Sequence, residues 1–155
     1  MKPVVTFYRG DSNAPKTTQG AHLGANAILT WEGKLLLERR RDSNTWGLVG
    51  GGCKKWETGR QAIVRECYEE LGVRIPQEAF QKLAVYDDPG RIAAYRDGSI
   101  WRMVIVVYGY DFPEKPLLRL SKESRELRFF TKEEVRNLQI PITHSDIVED
   151  LFLNT

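Results

Sequence analysis

The sequence has 155 residues, of which 41% are hydrophobic, and its 23 Lys and Arg against 21 Asp and Glu give a formal net charge of +2. This length predicts one folded domain, and the composition excludes a disordered, collagen-like or coiled-coil chain. The near-balanced charge makes a nucleic-acid partner unexpected, and the apolar runs are too short to cross a membrane. Two cysteines, Cys53 and Cys67, are too few for a disulfide framework, so we expect a reduced, cytoplasmic setting.

Residues 1–20 are predicted to form an N-terminal arm ahead of the main domain, residues 21–155. Within the arm, residues 4–8 predict a short strand, and residues 10–20 are rich in turn-forming residues. If the chain forms a homodimer, we expect the arm to mediate the pairing. No pattern in the sequence decides the oligomeric state.

The main domain is predicted to combine strands with a few helices. Thr131 and Glu134 have the spacing of a capping box that starts a helix, and a final helix is expected at residues 144–152. A hairpin is predicted at Glu32-Gly33. This mixture favours an α/β or α+β sandwich. Strands are predicted at residues 25–31, 34–39, 46–49, 80–86, 100–110 and 127–130.

A helix predicted at residues 59–71 has signals at both of its ends. Thr58 and Gln61 have the spacing of a capping box, and Gly72 stands where a left-handed cap favours glycine. At about 100° per residue, the two faces of this helix differ in chemistry. The apolar face, which should pack on the sheet, consists of Ile63, Val64, Cys67, Tyr68 and Leu71. The other face carries Glu66, Glu69 and Glu70, with the small Ala62 expected to leave room beside them.

This acidic face is either a solvated surface or a site for a cation, and neighbouring residues favour the cation. Glu57 adds a carboxylate at the helix entrance, and the glycines at residues 50–52 are expected to form a loop whose backbone carbonyls can approach a ligand closely. Arg65 can pair with Glu69 one turn along the helix, which would fix the orientation of a carboxylate. Clustered carboxylate oxygens suit Mg²⁺ or Mn²⁺, which proteins often bind together with substrate phosphates.

The whole segment resembles the Nudix box, Gly-x5-Glu-x7-Arg-Glu-U-x-Glu-Glu-x-Gly-U, where U is a bulky aliphatic residue. The matching positions are Gly51, Glu57, Arg65, Glu66, Glu69, Glu70, Gly72 and Val73. Cys67 replaces the first aliphatic residue, and Val49 and Trp56 stand where many members have proline and glycine. These departures affect packing and loop shape but no carboxylate. The resemblance covers residues 21–152 and implies an α/β fold, a Nudix-type α/β/α sandwich with a central mixed β-sheet.

The resemblance also implies a pyrophosphohydrolase that cleaves a phosphoanhydride of a nucleoside diphosphate-linked molecule by attack of water on phosphorus. Mg²⁺, with Mn²⁺ as the alternative, is the implied cofactor, because the carboxylates alone would repel an anionic substrate. By similarity, the metal ligands are the Gly51 carbonyl, Glu57, Glu66, Glu69 and Glu70. Glu69 is alternatively the general base instead of a ligand, and Arg65 is expected to orient the carboxylates.

Residues outside the box are candidates for the general base and for substrate contacts. Glu126 is the first candidate for the general base and Glu123 the second. The alternative for both is a solvent-exposed residue at the end of a strand, with no catalytic role. Arg39 and Arg40 leave a strand just before the glycines and could hold a phosphate, for which the arginine fork is suited. Trp46 could stack on a nucleobase, or it could belong to the core.

The small-molecule nucleotide substrate is left open between nucleoside triphosphates, including oxidised ones, and ADP-ribose. Pro89 favours ADP-ribose, because a proline near this distance from the box recurs in that subgroup. The compact length equally resembles the MutT-type triphosphate pyrophosphatases. A non-catalytic nucleotide-sensing domain and an RNA 5′-end pyrophosphohydrolase are the alternatives. The intact box argues against the first, and the near-neutral charge argues against the second.

Overall fold

The computed structural model describes residues 5–155, so Val4, the first residue of the predicted arm strand, lies outside it. The helices are α1 (Gly59–Leu71), α2 (Lys132–Arg136) and α3 (Ile142–Val148), with a 3₁₀ turn at Gln77–Ala79 and a π-helical turn at Glu149–Leu153. The strands in this range are β1 (Val5–Arg9), β2 (Ala21–Trp31), β3 (Lys34–Arg40), β4 (Trp46–Gly47), β5 (Val49–Gly52), β6 (Gln81–Tyr86), β7 (Arg91–Tyr95), β8 (Ile100–Asp111) and β9 (Ser124–Phe130).

These strands form one mixed sheet centred on β2. The main path runs β1-β7-β8-β2-β3-β4, while β5 pairs with β2, β6 with β8 and β9 with β3. The pair β2–β8 is parallel, and the remaining pairs are antiparallel. The predicted hairpin at Glu32-Gly33 joins β2 to β3 and is confirmed. Because β2 pairs with β3, β5 and β8, the glycine-rich strand β5 lies next to the middle of the sheet.

Alternate residues of the central strands face two separate cores. One core, on the α1 side, contains Ala25, Ala27, Leu36, Ile63, Cys67 and Val106. The other, on the α2 and α3 side, contains Ile28, Leu35, Leu37, Val107, Val135 and Ile147. This alternation is what a sheet covered on both faces requires. The predicted α/β/α sandwich with a central mixed sheet is therefore confirmed.

Helix α1 has the bounds that its end signals predict. The Thr58 hydroxyl accepts from the Gln61 backbone N–H at 3.1 Å, and the Gln61 side chain accepts from the Thr58 N–H at 2.9 Å. Gly72 donates its N–H to the Tyr68 carbonyl at 2.9 Å. The capping box at the start of α2 is confirmed in the same way.

Several segments differ from the prediction, and β2 and β9 begin earlier than expected, at Ala21 and Ser124. The glycines at residues 50–52, expected in a loop, lie in β5, and the final helix begins two residues earlier than expected, at Ile142. Strand β7 was not predicted, because its alanines have low strand propensity and it begins with a charge, Arg91. Arg91 is nevertheless buried, since it pairs with Asp88 and Asp146 and donates to the Thr143 carbonyl at 3.0 Å.

The described part of the predicted arm is joined to the rest of the fold. β1 pairs with β7, and Arg9 donates to the Ile142 carbonyl at 2.7 Å and pairs with Asp146 at 3.0 Å. A role for the arm in homodimer formation stays a prediction. None of the helices within residues 5–155 has the length and apolarity needed to cross a membrane. The cytoplasmic location also stays a prediction.

Candidate active site

Helix α1 packs the box residues against the sheet, with a buried face rotated from the predicted one. Cys67 is fully buried, as its hydrophobic role requires, but Ala62 and Glu70 are buried as well. Tyr68, which was predicted to pack on the sheet, is exposed. The expectations for Tyr68 and for open space beside Ala62 are therefore wrong. Glu70 lies under the helix, while Glu69 remains at its surface.

Arg65 links the carboxylates of the box. Its Nε donates to Glu57 Oε2 at 2.7 Å and its Nη2 to Glu57 Oε1 at 2.9 Å, which is a bidentate pair. Its Nη1 donates to Glu66 Oε1 at 3.0 Å and to Glu69 Oε2 at 3.1 Å. Nη2 also donates to the Gly52 carbonyl at 3.0 Å. One guanidinium thus fixes three carboxylates relative to β5, which is the geometry that an orienting role needs.

Glu57 is held in its ionised form by these contacts. It also accepts from the Lys54 backbone N–H at 2.9 Å. The hydrogen bonds from Arg65, reinforced by the Lys54 N–H, lower the pKa of Glu57 to about 2. The hydrogen bonds with Glu57 are in turn the main cause that raises the pKa of Arg65. Both groups are therefore charged at neutral pH.

Glu70 and Glu38 form a buried pair of carboxyl groups that the box motif does not reveal. Glu70 comes from α1 and Glu38 from β3, and the Gly50 N–H donates to Glu70 Oε2 at 3.3 Å. Burial, followed by the carboxylates of Glu38 and Glu66, raises the pKa of Glu70 well above its usual range. The sequence did carry a signal for Glu38, since it is a charge at an inward-facing position directly after the buried run at residues 35–37.

Strand β5 approaches the box carboxylates more closely than a side chain would allow. A Cβ atom at Gly51 would lie 2.7 Å from Glu66 Oε1, and one at Gly50 would lie 2.1 Å from the Ala25 carbonyl oxygen. Gly50 also has a φ of 141°, which residues with a side chain rarely adopt. The backbone of β5 therefore runs directly against α1, as ligation through the Gly51 carbonyl would require.

We expect Gly50→Ala to lower the free energy of unfolding by about 2 kcal/mol or more, because the new methyl group meets backbone atoms of Ala25 and Asn26 that cannot move aside. Urea denaturation followed by circular dichroism measures the change. Gly20→Ala is the matched control, since its Cβ would meet nothing within 4 Å. Equal stability of Gly50→Ala and wild type would contradict the conformation of β5.

The donor set of this cluster fits a divalent cation, although Arg65 engages much of it. Within residues 5–155, no three His, Cys, Asp or Glu side chains stand ready to coordinate one ion. Carboxylate oxygens are nevertheless the hard ligands that Mg²⁺ and Mn²⁺ prefer. Oε2 of Glu38 is buried and has no hydrogen-bond partner among the described residues. A cation beside Glu70 would satisfy this oxygen.

Glu126 lies across the sheet from α1. It pairs across the strands with Arg39 and accepts a hydrogen bond from Arg128 Nε at 2.8 Å. The Arg128 guanidinium lies over the rings of Trp46 and Phe130, and Phe130 belongs to the core on the α3 side. Because paired residues on adjacent strands face the same way, the structure does not bring Glu126 to the box carboxylates.

Arg40 and Glu123 lie at the rim of the carboxylate cluster. Arg40 Nη2 is 3.9 Å from Glu123 Oε2, and the Glu123 side chain is 74% exposed. Arg40 Nε pairs with Asp42 at 3.1 Å, and its Nη1 reaches Glu38 Oε1 at 3.4 Å. The chain from Glu123 through Arg40 to Glu38 therefore connects the exposed rim with the buried carboxylates.

Arg39 and Trp46 contact each other on the α3 side of the sheet. The Arg39 guanidinium lies 6.0 Å from the centre of the Trp46 ring, and Trp46 packs edge-on against Phe130 with ring centres 4.8 Å apart. Nearby on α3, His144 Nδ1 accepts from the Leu48 N–H at 3.1 Å. Burial lowers the pKa of His144 to about 4, so its ring is neutral at pH 7. Trp46 thus packs at the margin of the core, as one of its two interpretations expected.

Comparison with known proteins places the chain in a family. A family model described as NUDIX domain matches residues 20–151. The chain is 28% identical over 108 residues to the nucleoside triphosphatase NudI of Enterobacter sp. (strain 638). The aligned residues cover 69% of this chain and 76% of that protein. It is 31% identical over 111 residues to a MutT-like protein of Streptomyces ambofaciens, covering 72% of this chain and 64% of that protein.

A solved structure shares the fold. The chain superposes, with a TM-score of 0.70 and 22% identity, on a bifunctional NMN adenylyltransferase/ADP ribose pyrophosphatase from Francisella tularensis complexed with AMP and a Mn ion. The superposition covers 89% of this chain and 42% of that one. The family match takes in α1, the glycine strand β5 and every carboxylate of the box. The chain belongs to the Nudix hydrolase family.

Proposed function

We propose that this protein is a divalent-metal-dependent pyrophosphohydrolase that cleaves a phosphoanhydride bond of a small nucleotide. One observation carries the proposal: Glu66 and Glu70 on α1 lie directly against the backbone of Gly50 and Gly51. A diphosphate is strongly anionic, so it can approach this cluster only with cations between them. Mg²⁺ is the cation that we propose, with Mn²⁺ as the alternative.

In this proposal, Glu57, Glu66, Glu70 and the Gly51 carbonyl hold the cation, and Glu69 is a further candidate ligand. When bound, the ion neutralises phosphate charge and favours loss of a proton from the attacking water. Arg65 keeps the carboxylates in position and does not contact substrate. Its bidentate pair with Glu57 supports this role, since a guanidinium committed to carboxylates has few donors left for a phosphate.

We propose Glu69 as the general base, with Glu123 as the alternative outside the box. Glu69 is 53% exposed on the surface of α1, where its carboxylate can meet water beside the bound substrate. Arg40 is 37% exposed, more than Arg65, and it is proposed to hold a phosphate in place of its exposed partners Asp42 and Glu123. Arg39 and Trp46 lie on the α3 side of the sheet with Glu126, so neither is proposed to contact the substrate at the box carboxylates.

Nucleoside triphosphates are the substrate class that we propose first. The support is the activity named for a curated relative, a nucleoside triphosphatase, which matches over 76% of its length. ADP-ribose is the second candidate, supported by the activity named for the structural neighbour. Pro89, the sequence feature that favoured ADP-ribose, lies in the connection between β6 and β7.

The test is hydrolysis of a nucleotide panel by the purified protein with Mg²⁺ or Mn²⁺. The panel contains ordinary and oxidised nucleoside triphosphates, ADP-ribose and a 5′-triphosphorylated oligonucleotide. We expect at least one small nucleotide to be turned over at about 1 s⁻¹ or faster, and EDTA to abolish the reaction. Binding of a nucleotide without turnover of any panel member would favour the sensing alternative. Turnover of the oligonucleotide alone would favour the RNA alternative.

A further inference from the structure

Glu38 is a charged residue at a strand position that faces the hydrophobic core. It lies on β3 directly opposite Leu127 of β9, and Leu127 packs against the core beneath α1. The preceding residue on the same face of β3, Leu36, is fully buried in that core. Glu38 is itself only 2% exposed. Its carboxylate therefore projects between the sheet and α1, towards Glu70.

The contacts of Glu38 leave one of its oxygens unsatisfied. Oε1 has a long contact with Arg40 Nη1 at 3.4 Å, whereas Oε2 is buried with no hydrogen-bond partner among the described residues. Burying an unpaired carboxylate oxygen is costly, and the neighbouring Glu70 carboxylate adds repulsion. Two buried carboxyl groups in this arrangement need either a shared proton or a cation between them.

We propose that Glu38 is an additional ligand of the divalent cation, which it contacts through Oε2. The inference rests on the proposed function, which places that cation at Glu66 and Glu70. A cation satisfies the unpaired oxygen and offsets the repulsion between the two buried carboxylates. Because Glu38 is paired on both sides, with Gly47 of β4 and Leu127 of β9, it adds a rigid ligand from β3 to those supplied by α1 and β5.

The test measures Mn²⁺ binding by electron paramagnetic resonance and by isothermal titration calorimetry, without any nucleotide. We expect the Kd for Mn²⁺ to rise about 10-fold or more in Glu38→Gln, a neutral residue of the same shape. Glu38→Asp, which keeps the charge but withdraws the oxygens, should bind between the two. Glu114→Gln removes the same charge from an exposed loop and should bind as wild type does.

A second measurement separates a ligand from a residue that only supports the fold. The melting temperature of metal-free Glu38→Gln should equal or exceed that of wild type, because the substitution relieves repulsion with Glu70. The rise in melting temperature on adding Mn²⁺ should be smaller than in wild type, since weaker binding stabilises the folded state less.

The outcomes also separate this inference from the proposed function. Wild-type Mn²⁺ affinity in Glu38→Gln, together with loss of binding in Glu70→Gln, would overturn the role of Glu38 alone. It would identify Glu38 and Glu70 as a pair that shares a proton. Absence of Mn²⁺ binding in the wild-type protein would overturn the proposed function, and this inference with it.

Discussion

Glu70→Gln is expected to lower kcat/KM by about a thousandfold while the protein remains folded. Glu70 is buried beside Glu38 and accepts from the Gly50 N–H, where one of its oxygens is proposed to bind the metal. Glutamine has the same shape, and its carbonyl oxygen can keep the hydrogen bond from Gly50, but it lacks the charge that holds a cation. Steady-state hydrolysis of the best panel substrate at saturating Mg²⁺ measures the loss.

The stability of the same variant shows whether lost charge or lost folding causes the effect. Burial and the carboxylates of Glu38 and Glu66 raise the pKa of Glu70 above its unfolded value. Such a group stabilises the fold below its unfolded pKa, and this contribution is lost as the pH rises. Metal-free Glu70→Gln should therefore melt at or above the wild-type temperature at about pH 8.

Glu114→Gln is the control for both measurements of Glu70→Gln. It removes one negative charge from an exposed loop after β8, so it should change kcat/KM by less than about twofold. Two results would contradict the assignment of Glu70 as a metal ligand. One is full activity of Glu70→Gln with Mg²⁺, and the other is a fall in its melting temperature that accounts for the lost activity.

The parts of the site that lie on one helix could be predicted because the helix signals are local. The caps at Thr58 and Gly72 define α1, and the spacing of Glu66, Glu69 and Glu70 along it places them on adjoining faces. Which side of α1 is buried could not be predicted as accurately, because the apolar pattern does not show how α1 is rotated on the sheet. Glu70 is buried against the sheet, where it accepts from the Gly50 N–H at 3.3 Å.

The parts that depend on strand pairing could not be predicted from local patterns. Glu38 meets Glu70 only because the sheet brings β3 next to β5, on which α1 packs, and the two residues are far apart in the sequence. The face of Glu126 depends on the register between β3 and β9, which shifts between Arg39 and Arg40. A one-residue change of register turns a strand side chain to the other face of the sheet. The sequence therefore cannot decide whether Glu126 or Glu38 faces the helix.

Arg65→Met is expected to lower the free energy of unfolding by about 2–3 kcal/mol at pH 7, after allowance for the partial exposure of Arg65. The substitution leaves the carboxylate of Glu57, which is only 8% exposed, without its bidentate partner, and it leaves Glu66 unpaired as well. Arg65→Lys keeps the charge but lacks the fork, so its loss should be intermediate. Urea denaturation in metal-free buffer measures all three proteins.

The pH dependence of this loss tests its cause. Because the pairing lowers the pKa of Glu57 from 4.5 to about 2, it stabilises the folded state above the unfolded pKa, and the contribution disappears as the pH falls through that range. The stability difference between wild type and Arg65→Met should therefore be complete at pH 7 and should narrow between about pH 4.5 and about pH 2. Arg125→Met, at an exposed position of β9, should show no such dependence. A difference that persists unchanged at the acid end would mean that Arg65 stabilises the fold through packing and not through its charge.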